Sequence, residues 1–330
     1  MDKISVIVPC FNSQGTIREC VSSILDTGYS PLEIILVDDH STDATLDVLE
    51  QIRLRNIDSV CVVAGLKNLG AGVARNIGAC AASGKYYLFI DSDVEMVSTT
   101  LNQFLRTIKN ADAVSGHYHW QPLNNSVVAN YKAYLNYSMN TREGIFRYEV
   151  FNSAIAGIRS EVFLSSGGFN ESLRPGMDYE NEEFGHRLFK QHITLFDPSL
   201  VVRHHFPGFW RLTRNYFWRV SLWMELFCKR KDFEQGGLGS SRTGLATVSL
   251  FIGLMMLLAG NFSSYCFFVA VPLLLGYLKG YYPLLLFTIR KKPGLLVPVV
   301  VLNMYYCIVI TIGAATGVFR FLTNRRATIA

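Results

Sequence analysis

The feature that most restricts the fold of this chain is a series of apolar stretches that begins near Gly244 and continues almost to its end. Hydrophobic residues make up 50% of the 330 residues and charged ones only 17%. Residues 244–260, 262–278 and 295–319 each reach the ~17 residues that a helix needs to cross a bilayer. The pattern predicts a head followed by a membrane region at 243–330 with about three spans.

The sequence leaves the extent and the orientation of these spans open. The stretch YYPLLLFTI, residues 281–289, could extend the second span or form a re-entrant segment. Basic residues before the first span and after the second favour the cytoplasmic side, but Arg320, Arg325 and Arg326 would then lie outside. The opening MDKISVIVPC does not resemble a signal peptide. We therefore expect an integral membrane protein with a cytoplasmic head, in the cell membrane if its source is bacterial or archaeal.

Residues 207–242 are predicted to connect the head to the membrane region through an amphipathic helix. One stripe of the segment 209–227 is apolar, and the arginines of the segment lie elsewhere. This pattern is typical of a helix in a membrane interface. An ordinary surface helix packed on the head is the alternative. The predicted lipid-facing stripe contains Phe209, Tyr216, Val220, Trp223 and Phe227.

Charge and cysteine content exclude other classes of protein. The net charge is only +5, and the basic residues cluster near the apolar segments, which favours membrane lipids over nucleic acid as partners. The seven cysteines are scattered without CxxC spacing. This distribution argues against both a disulfide framework and a zinc site. Nothing in the sequence indicates an oligomeric state.

The head alternates apolar strands with helical segments. ISVIVP, LEIILVDD, SVCVVAG and YYLFIDSD are predicted strands, and short links join them to intervening helices. This order favours right-handed crossovers and a mostly parallel sheet, with ligands at the carboxyl ends of the strands. The acidic residues at such ends are Asp38, Asp39, Asp91 and Asp93. The fold class is therefore α/β, with a binding site at that edge.

Asp91 and Asp93 lie on either side of one serine, directly behind the fourth strand. Two carboxylates this close repel each other unless a cation lies between them. A hard divalent cation bound there could neutralise a diphosphate. A solvated turn is the alternative interpretation, and the position after a fourth parallel strand favours the metal site.

The motifs ISVIVPCFN, ILVDDHSTDAT, NLGAGVARNIGA and LFIDSD, in this order, make the head resemble the family-2 glycosyltransferases of the GT-A fold. The resemblance covers roughly residues 3–206 and implies a Rossmann-like catalytic domain at 1–206 that uses a nucleotide-sugar donor. A carboxylate can accept the N3 proton of uracil, which favours a UDP-sugar. The residues expected at the nucleotide are Pro9, Phe11, Asp38, Asp39, Asn68, Gly70, Arg75 and Asp91.

Structural roles are the alternatives for several of these residues. Asp38 and Asp39 could favour the dipole of a helix that Ser41 caps. The segment around Gly70 could be a glycine-broken loop that starts a packed helix. Arg75 could meet phosphate or support the acidic cluster.

The resemblance also implies the metal ligands. Asp91 and Asp93 match the DxD motif of the family, with Mg²⁺ or Mn²⁺ as the cofactor. A third ligand in many such enzymes is a late histidine after an apolar strand, and VVRHHF offers His204, or His205 beside it. Neutral imidazole suits Mn²⁺ better than Mg²⁺.

The general base has several candidates. Inverting members of the family carry an ED pair six residues ahead of RL, and its aspartate takes the acceptor proton. Counting back from Arg187 places Asn181 there, and an amide cannot act as a base. The candidates are Asp178, Glu180 and Glu182. An acceptor phosphate, already ionised, would need little help from a base.

These features together predict a membrane-anchored, metal-dependent, inverting glycosyltransferase with a lipid-linked or membrane-proximal acceptor. A polyprenyl-phosphate sugar synthase, with the lipid phosphate as acceptor, is the nearest alternative. An inactive nucleotide-sugar-binding membrane scaffold is an alternative of another class. The intact DxD motif argues against the scaffold.

Overall fold

A computed structural model describes residues 2–140, 144–173, 179–231 and 239–327. The chain forms two compact units. The first unit comprises residues 1–123 and 142–205, and the second comprises 124–141 and 206–330. The segment 124–141 thus groups with the C-terminal helices, although it falls inside the predicted catalytic domain in sequence. The domain boundaries at 206 and 242 stay predictions.

The helices and strands follow one another along the chain in a largely alternating order up to residue 204. They are β1 (Ile4–Cys10), α1 (Ile17–Leu25), β2 (Leu32–Asp38), α2 (Thr45–Arg55), β3 (Val60–Ala64), α3 (Ala71–Ala81), β4 (Tyr86–Ile90), β5 (Val94–Met96), α4 (Thr100–Thr107), β6 (Ala113–Tyr118), α5 (Val127–Asn140), β7 (Phe146–Arg147), β8 (Ile155–Arg159), α6 (Ser160–Ser165), α7 (Glu180–Gln191), β9 (Thr194–His204), α8 (Phe209–Arg230), α9 (Ser241–Ala259), α10 (Tyr265–Lys291) and α11 (Leu296–Ala327).

The first unit is built on one mixed, mostly parallel sheet in the order β3-β2-β1-β4-β8-β6-β9-β5, with β7 paired to β9. The four predicted strands β1 to β4 are adjacent and parallel, which confirms the predicted α/β architecture. Their carboxyl ends therefore meet at one edge of the sheet. The strand β8 runs antiparallel between β4 and β6.

Alternating residues of the central strands fill two hydrophobic layers, one on each face of the sheet. Ile4, Val6 and Val8 of β1 face one layer, and Ile7 faces the other. On the second face α3 packs directly on β1 at Gly78, where the absence of a side chain allows the close approach. A Cβ added at Gly78 would lie 2.5 Å from Ile7 Cγ2. This close packing holds the start of α3 beside the ends of β1 and β2.

Among its described residues, the second unit contains three helices that are long and apolar enough to cross a membrane, which matches the predicted number. Their ranges are Ser241–Ala259, Tyr265–Lys291 and Pro293–Thr323. The stretch 281–289 extends the second of them rather than forming a separate segment. The helix α10 continues through Pro272 and Pro283, which is tolerated where neighbouring helices satisfy the freed backbone groups.

The helix α8 runs beside α11 in the same direction. A Cβ added at Gly317 of α11 would lie 2.2 Å from the carbonyl oxygen of Ser221, and one at Gly313 would lie 2.7 Å from that of Phe217. Two small residues four positions apart let helix backbones approach this closely. Phe209 and Tyr216, predicted to face lipid, instead contact Tyr305 and Tyr306 of α11, with ring centroids 5.0 and 5.1 Å apart. That part of the stripe is explained by helix packing, and an interfacial position of α8 stays a prediction.

Candidate nucleotide and metal site

The loops after β1 and β2 are joined by side-chain hydrogen bonds at the carboxyl edge of the sheet. Asn12, in the left-handed region at φ 51°, accepts a 2.8 Å hydrogen bond from the Thr42 amide. The backbone N–H of Asn12 donates a 3.0 Å hydrogen bond to Ser41 Oγ. The neighbouring Phe11 ring is 47% exposed, although it follows a fully buried strand. An aromatic ring presented in this way can stack on a nucleobase.

Asp39 holds the NLG loop against the end of β2. Its two carboxylate oxygens accept hydrogen bonds of 2.8 Å each from the amides of Leu69 and Gly70. Gly70 has φ 90°, which a residue with a side chain rarely adopts. Asn68, which is exposed, directly precedes these two anchored residues. Asp39 is thus buried and engaged with backbone, so any contact to a nucleoside would use its remaining acceptor capacity.

Asp38 and Pro9 lie at the carboxyl ends of β2 and β1, respectively. Asp38 is buried and accepts a hydrogen bond of 3.2 Å from the Ser41 amide, which supports the turn into α2. Pro9 pairs with Val37 inside the parallel ladder. The contact of either residue with a nucleotide stays a prediction.

Arg75 connects two acidic residues that are far apart in sequence. Its Nη2 donates a 2.8 Å hydrogen bond to Asp91 Oδ1, and its Nη1 lies 3.7 Å from Glu180 Oε1. The guanidinium group is nearly buried, and it lies 5.5 Å from the centre of the Phe169 ring. A buried cation needs carboxylate partners to offset its desolvation, and here Asp91 and Glu180 supply them. The arginine therefore supports the acidic cluster, one of the two roles considered for it.

Asp93 pairs with a histidine across the β5 and β9 ladder. Asp93 Oδ1 lies 3.3 Å from His204 Nε2, and the residues Val94 and His204 are register partners. His205 is exposed, and its amide donates a 2.9 Å hydrogen bond to the Asp93 carbonyl oxygen. The imidazole next to the Asp93 carboxylate is therefore that of His204 and not that of His205. The sequence offered both histidines as a third metal ligand, and this geometry favours His204.

Asp93 and His204 fit a divalent ion as two of its ligands. Carboxylate oxygen and imidazole nitrogen are donors that Mn²⁺ accepts. Asp91 points its Oδ1 at Arg75 instead. Within the described ranges, no group of three or more His, Cys, Asp or Glu side chains is arranged to hold a metal ion. Proteins commonly supply only one or two ligands to a divalent ion when phosphate oxygens and water molecules complete its coordination shell.

The candidates for the general base lie at the start of α7. Glu180 is its first residue and faces Arg75, and Glu182 is half-buried in the same turn. Asn181, where the family pattern would have aspartate, accepts a 2.6 Å hydrogen bond from the Ser153 hydroxyl group. Glu183 is paired with Arg187 at 2.7 Å. Asp178 lies outside the described residues.

Two further residues clamp the loop GGFNE, residues 167–171, next to this cluster. The Asn76 side chain accepts a 2.9 Å hydrogen bond from the Phe169 amide and donates one of 2.8 Å to its carbonyl oxygen. Arg187 Nη1 donates to the Ser166 carbonyl oxygen at 2.6 Å. Neither residue was among the predicted site residues. Asn76 was visible in the motif NLGAGVARNIGA, but its partner 93 positions away was not.

The fold and the site define the class of protein. A mostly parallel sheet carries a DxD pair behind its fourth strand and an acid-binding arginine on the preceding helix, as in nucleotide-sugar transferases of the GT-A fold. The comparison with known families makes the assignment specific. Residues 5–164 match the family model described as Glycosyl transferase family 2, and the chain therefore carries a domain of this family.

Curated relatives match part of this chain. WfaP of Escherichia coli, named UDP-Glc:alpha-D-GlcNAc-diphosphoundecaprenol beta-1,3-glucosyltransferase, is 36% identical over 124 residues, covering 36% of this chain and 47% of WfaP. The putative teichuronic acid biosynthesis glycosyltransferase TuaG of Bacillus subtilis is 44% identical over 91 residues, covering 27% of this chain and 35% of TuaG. The matched part thus spans less than half of either relative.

A solved structure resembles nearly the whole chain. The mannosyltransferase PcManGT from Pyrobaculum calidifontis, in complex with GDP-Man and Mn²⁺, aligns over 97% of this chain and 86% of its own. The TM-score is 0.58 and the sequence identity is 16%. At this identity the likeness establishes a shared fold.

Proposed function

We propose that this protein is a membrane-anchored glycosyltransferase that moves a sugar from a nucleotide diphosphate donor to a lipid-linked or membrane-proximal acceptor, with inversion at the anomeric carbon. The observation that carries the proposal is the Arg75 bridge, because it brings Asp91 of the DxD motif and Glu180 of α7 to one guanidinium group. Glycosyl transfer to a hydroxyl group needs the group that binds the donor and the group that accepts the proton to lie close together, so that both can contact the reacting substrates.

The donor is proposed to be a nucleotide sugar, with a UDP-sugar favoured. The exposed Phe11 ring and the loops tied by Asn12 offer a surface for the base. Nucleotides named for the similar proteins are UDP for WfaP and GDP for PcManGT. Both nucleotides belong in a donor screen for this reason.

A divalent ion, Mg²⁺ or Mn²⁺, is proposed as the cofactor, and Asp93 and His204 would hold it. When bound, it would supply positive charge that stabilises the departing nucleotide diphosphate. The presence of Mn²⁺ in the PcManGT complex supports this choice. Asp91 is held by Arg75, so we assign it to positioning and to contacts with the nucleotide.

Glu180 is the proposed base for a hydroxyl acceptor. Its side chain is 22% exposed, and its Oε1 lies 3.7 Å from Arg75 Nη1. An ionised carboxylate at the acceptor can take up the hydroxyl proton as the new glycosidic bond forms. Its contact with Arg75 fixes the side chain, which reduces the entropy lost on reaching the reacting geometry.

The acceptor is proposed to be bound to the membrane. Three apolar helices would anchor the protein, and anchoring raises the effective concentration of a lipid substrate. WfaP is named for an acceptor on diphosphoundecaprenol, which supports a lipid-linked acceptor here. A head on the cytoplasmic side, where nucleotide sugars are made, belongs to the same proposal.

A second candidate is a polyprenyl-phosphate sugar synthase. The observation that favours it is Asn181, an amide engaged with Ser153 at the position where the family pattern has the basic aspartate. A phosphate acceptor is already ionised at neutral pH and needs no proton removal. Variants of Glu180 distinguish the two reactions, since only a hydroxyl acceptor depends on a base.

The full chain in detergent or membranes, incubated with UDP- and GDP-sugars, Mn²⁺ and a bacterial lipid extract, tests the proposal. Mass spectrometry of the lipid fraction should reveal a product heavier by one sugar residue. The Asp93→Asn variant serves as the matched inactive control. Binding of nucleotide sugar without transfer or hydrolysis of any donor would instead support an inactive scaffold.

A further inference from the structure

The helix α5 shows on which side of a membrane the middle of α11 lies. It is 14 residues long and falls between β6 and β7, which belong to the same sheet of the first unit. A single crossing by α5 would put a membrane between these two strands, so α5 stays on the side of the head. Tyr131 of α5 stacks on Tyr306 of α11, with ring centroids 5.4 Å apart, and its hydroxyl group accepts a 3.3 Å hydrogen bond from Asn303. Residues 303–306 of α11 therefore lie at that side of the membrane as well.

The part of α11 beyond Tyr306 is poorly suited to cross from there. The segment 307–319 separates Tyr306 from Arg320, and as a helix it is ~20 Å long. The hydrocarbon core of a bilayer is ~30 Å thick. A crossing would therefore place Arg320 within the hydrocarbon, where charged side chains are rare, and it would carry Arg325 and Arg326 to the far side.

The helix α8 accompanies this part of α11 in the same direction. Three contacts have the same separation along the chain and so define a parallel pair: Phe209 with Tyr305, Phe217 with Gly313, and Ser221 with Gly317. The paired segment, residues 305–317 of α11, is ~18 Å long. If this segment lay in the hydrocarbon core, α8 would lie there too, because the two helices are in contact along its whole length.

Charge and direction both argue against a crossing by α8. Arg211, Arg214 and Arg219 are exposed, so in a crossing helix they would face lipid, whereas charged side chains within a membrane almost always face the protein interior. Among the described residues, α8 is not one of the helices whose length and composition fit a span. Four consecutive spans from α8 to α11 would alternate in direction, which would make α8 and α11 antiparallel, but they are parallel.

The two helices together form one amphipathic layer. At ~100° per residue, Arg211 and Arg219 fall on the side of α8 that is turned away from α11. The side of α11 turned away from α8 carries the exposed residues Ile312, Ala315, Phe319 and Leu322. A layer with one basic and one apolar side fits the interface of a single leaflet, because its arginines meet lipid phosphates and its apolar side chains meet acyl chains.

We propose that α8 and residues 305–323 of α11 lie together along the membrane surface on the side of the head, with α11 toward the acyl chains and α8 toward the lipid phosphates. Only α9 and α10 then cross the membrane, and the end of the chain returns to the side of the head. Arg320, Arg325 and Arg326 thereby share a side with the other basic residues, which removes the conflict in the sequence. This placement goes beyond the proposed function and holds whatever reaction the head catalyses.

The side on which each terminus lies tests this placement. A site for a sequence-specific protease is inserted into the full chain before Met1, after Phe262 or after Ala330. Phe262 is 93% exposed and lies between α9 and α10. In sealed vesicles in which the site before Met1 is cleaved, we expect cleavage after Ala330 without detergent and cleavage after Phe262 only with detergent. Protection of the site after Ala330 would show a third crossing, and cleavage after Phe262 in sealed vesicles would show that α9 and α10 do not cross. Either result would overturn the proposal.

The depth of α11 in the bilayer provides a second measurement. A fluorescent amino acid replaces Ile312 or Phe319 in the full chain in lipid nanodiscs, and lipids brominated at different acyl carbons report its depth. Both side chains are exposed, so their replacement leaves the helix contacts intact. We expect depths equal to within ~3 Å, whereas a crossing helix would separate the two positions by ~10 Å.

Ile252 and Leu258 of α9 are the matched control pair, since both are exposed residues of a helix proposed to cross. Their depths should differ by ~9 Å. A difference of ~10 Å between positions 312 and 319 would overturn the surface layer. Equal depths at 252 and 258 would overturn the crossing by α9.

Discussion

The guanidinium group of Arg75 lies 2.8 Å from the carboxylate of Asp91, although the two residues belong to different elements. Arg75 is on the second turn of α3, and Asp91 follows the last residue of β4. The same guanidinium group reaches Glu180 at the start of α7. One buried side chain therefore sets the relative positions of the acid proposed to contact the donor and of the acid proposed as the base.

Replacing Arg75 should impair both activity and folding stability. In Arg75→Ala, Asp91 and Glu180 lose their shared partner, and we expect a decrease in kcat/KM of about 100-fold, as for loss of one fixed electrostatic contact. Arg75→Lys should rescue little, because an ammonium group cannot bind two carboxylates with the geometry of guanidinium. Sugar transfer and thermal unfolding measure the two effects.

The control for Arg75 is Arg53→Ala, which removes a partly exposed ion pair with Glu50. Such pairs contribute about 0.5 kcal/mol, whereas loss of the buried arginine should cost about 3 kcal/mol. Full activity in Arg75→Lys would contradict the bridging role.

Substitutions of Asp93 and His204 should reveal the metal dependence. Asp93→Asn should reduce transfer at least about 100-fold, since a charged ligand of the ion is lost. His204→Gln should raise the Mn²⁺ concentration needed for half-maximal activity about tenfold. Titration of each variant with MnCl₂ measures both.

His205→Gln is the matched control for His204, because this neighbouring side chain is exposed and contributes only its backbone amide to Asp93. Its metal titration should superimpose on that of the wild type. If His205→Gln changed the titration and His204→Gln did not, the assignment of the two histidines would be reversed.

Substituting the acids near α7 one by one should identify the base. We expect Glu180→Gln to lower kcat by about 100-fold or more with little change in donor affinity, since the proton acceptor is removed. Glu182→Gln and Asp178→Asn should retain most of the activity. Glu161→Gln, an exposed substitution on α6, is the control.

The acceptor class determines the outcome of this series. Near-normal turnover in all three variants would exclude a carboxylate base among them and favour an acceptor that is already ionised. A loss confined to Asp178→Asn would move the base to the segment ahead of α7. Single-turnover measurements separate these effects from slow product release.

Packing of α8 on α11 should depend on Gly317. A Cβ at this position would lie 2.2 Å from the Ser221 carbonyl oxygen and 2.8 Å from Met224 Cβ. Gly317→Ala should therefore destabilise the protein by about 2 kcal/mol through overpacking, despite the better helix propensity of alanine. Gly294→Ala is the control, since a Cβ there meets no atom within 4 Å. Thermal unfolding in detergent should separate the two variants, and equal midpoints would refute the close helix contact.

Local patterns in the sequence predicted much of the architecture. The four parallel strands followed from apolar runs with alternating helices, and the three apolar helices followed from length and composition. The acidic residues were expected at strand ends for the same reason. These features depend on neighbouring residues, so they are visible in a single stretch of chain.

Contacts between distant residues were decided by the tertiary structure. Arg75 had two possible roles in the sequence, and only the tertiary structure, in which α3 packs on β1 and β2, joined it to Asp91 and Glu180. The apolar stripe of α8 suited either lipid or protein, and part of it packs on α11. The helix α5 lies in sequence between strands of the first unit but belongs to the second. Periodicity reveals which face of an element is apolar but not what covers that face, because the partner is selected by packing over the whole chain.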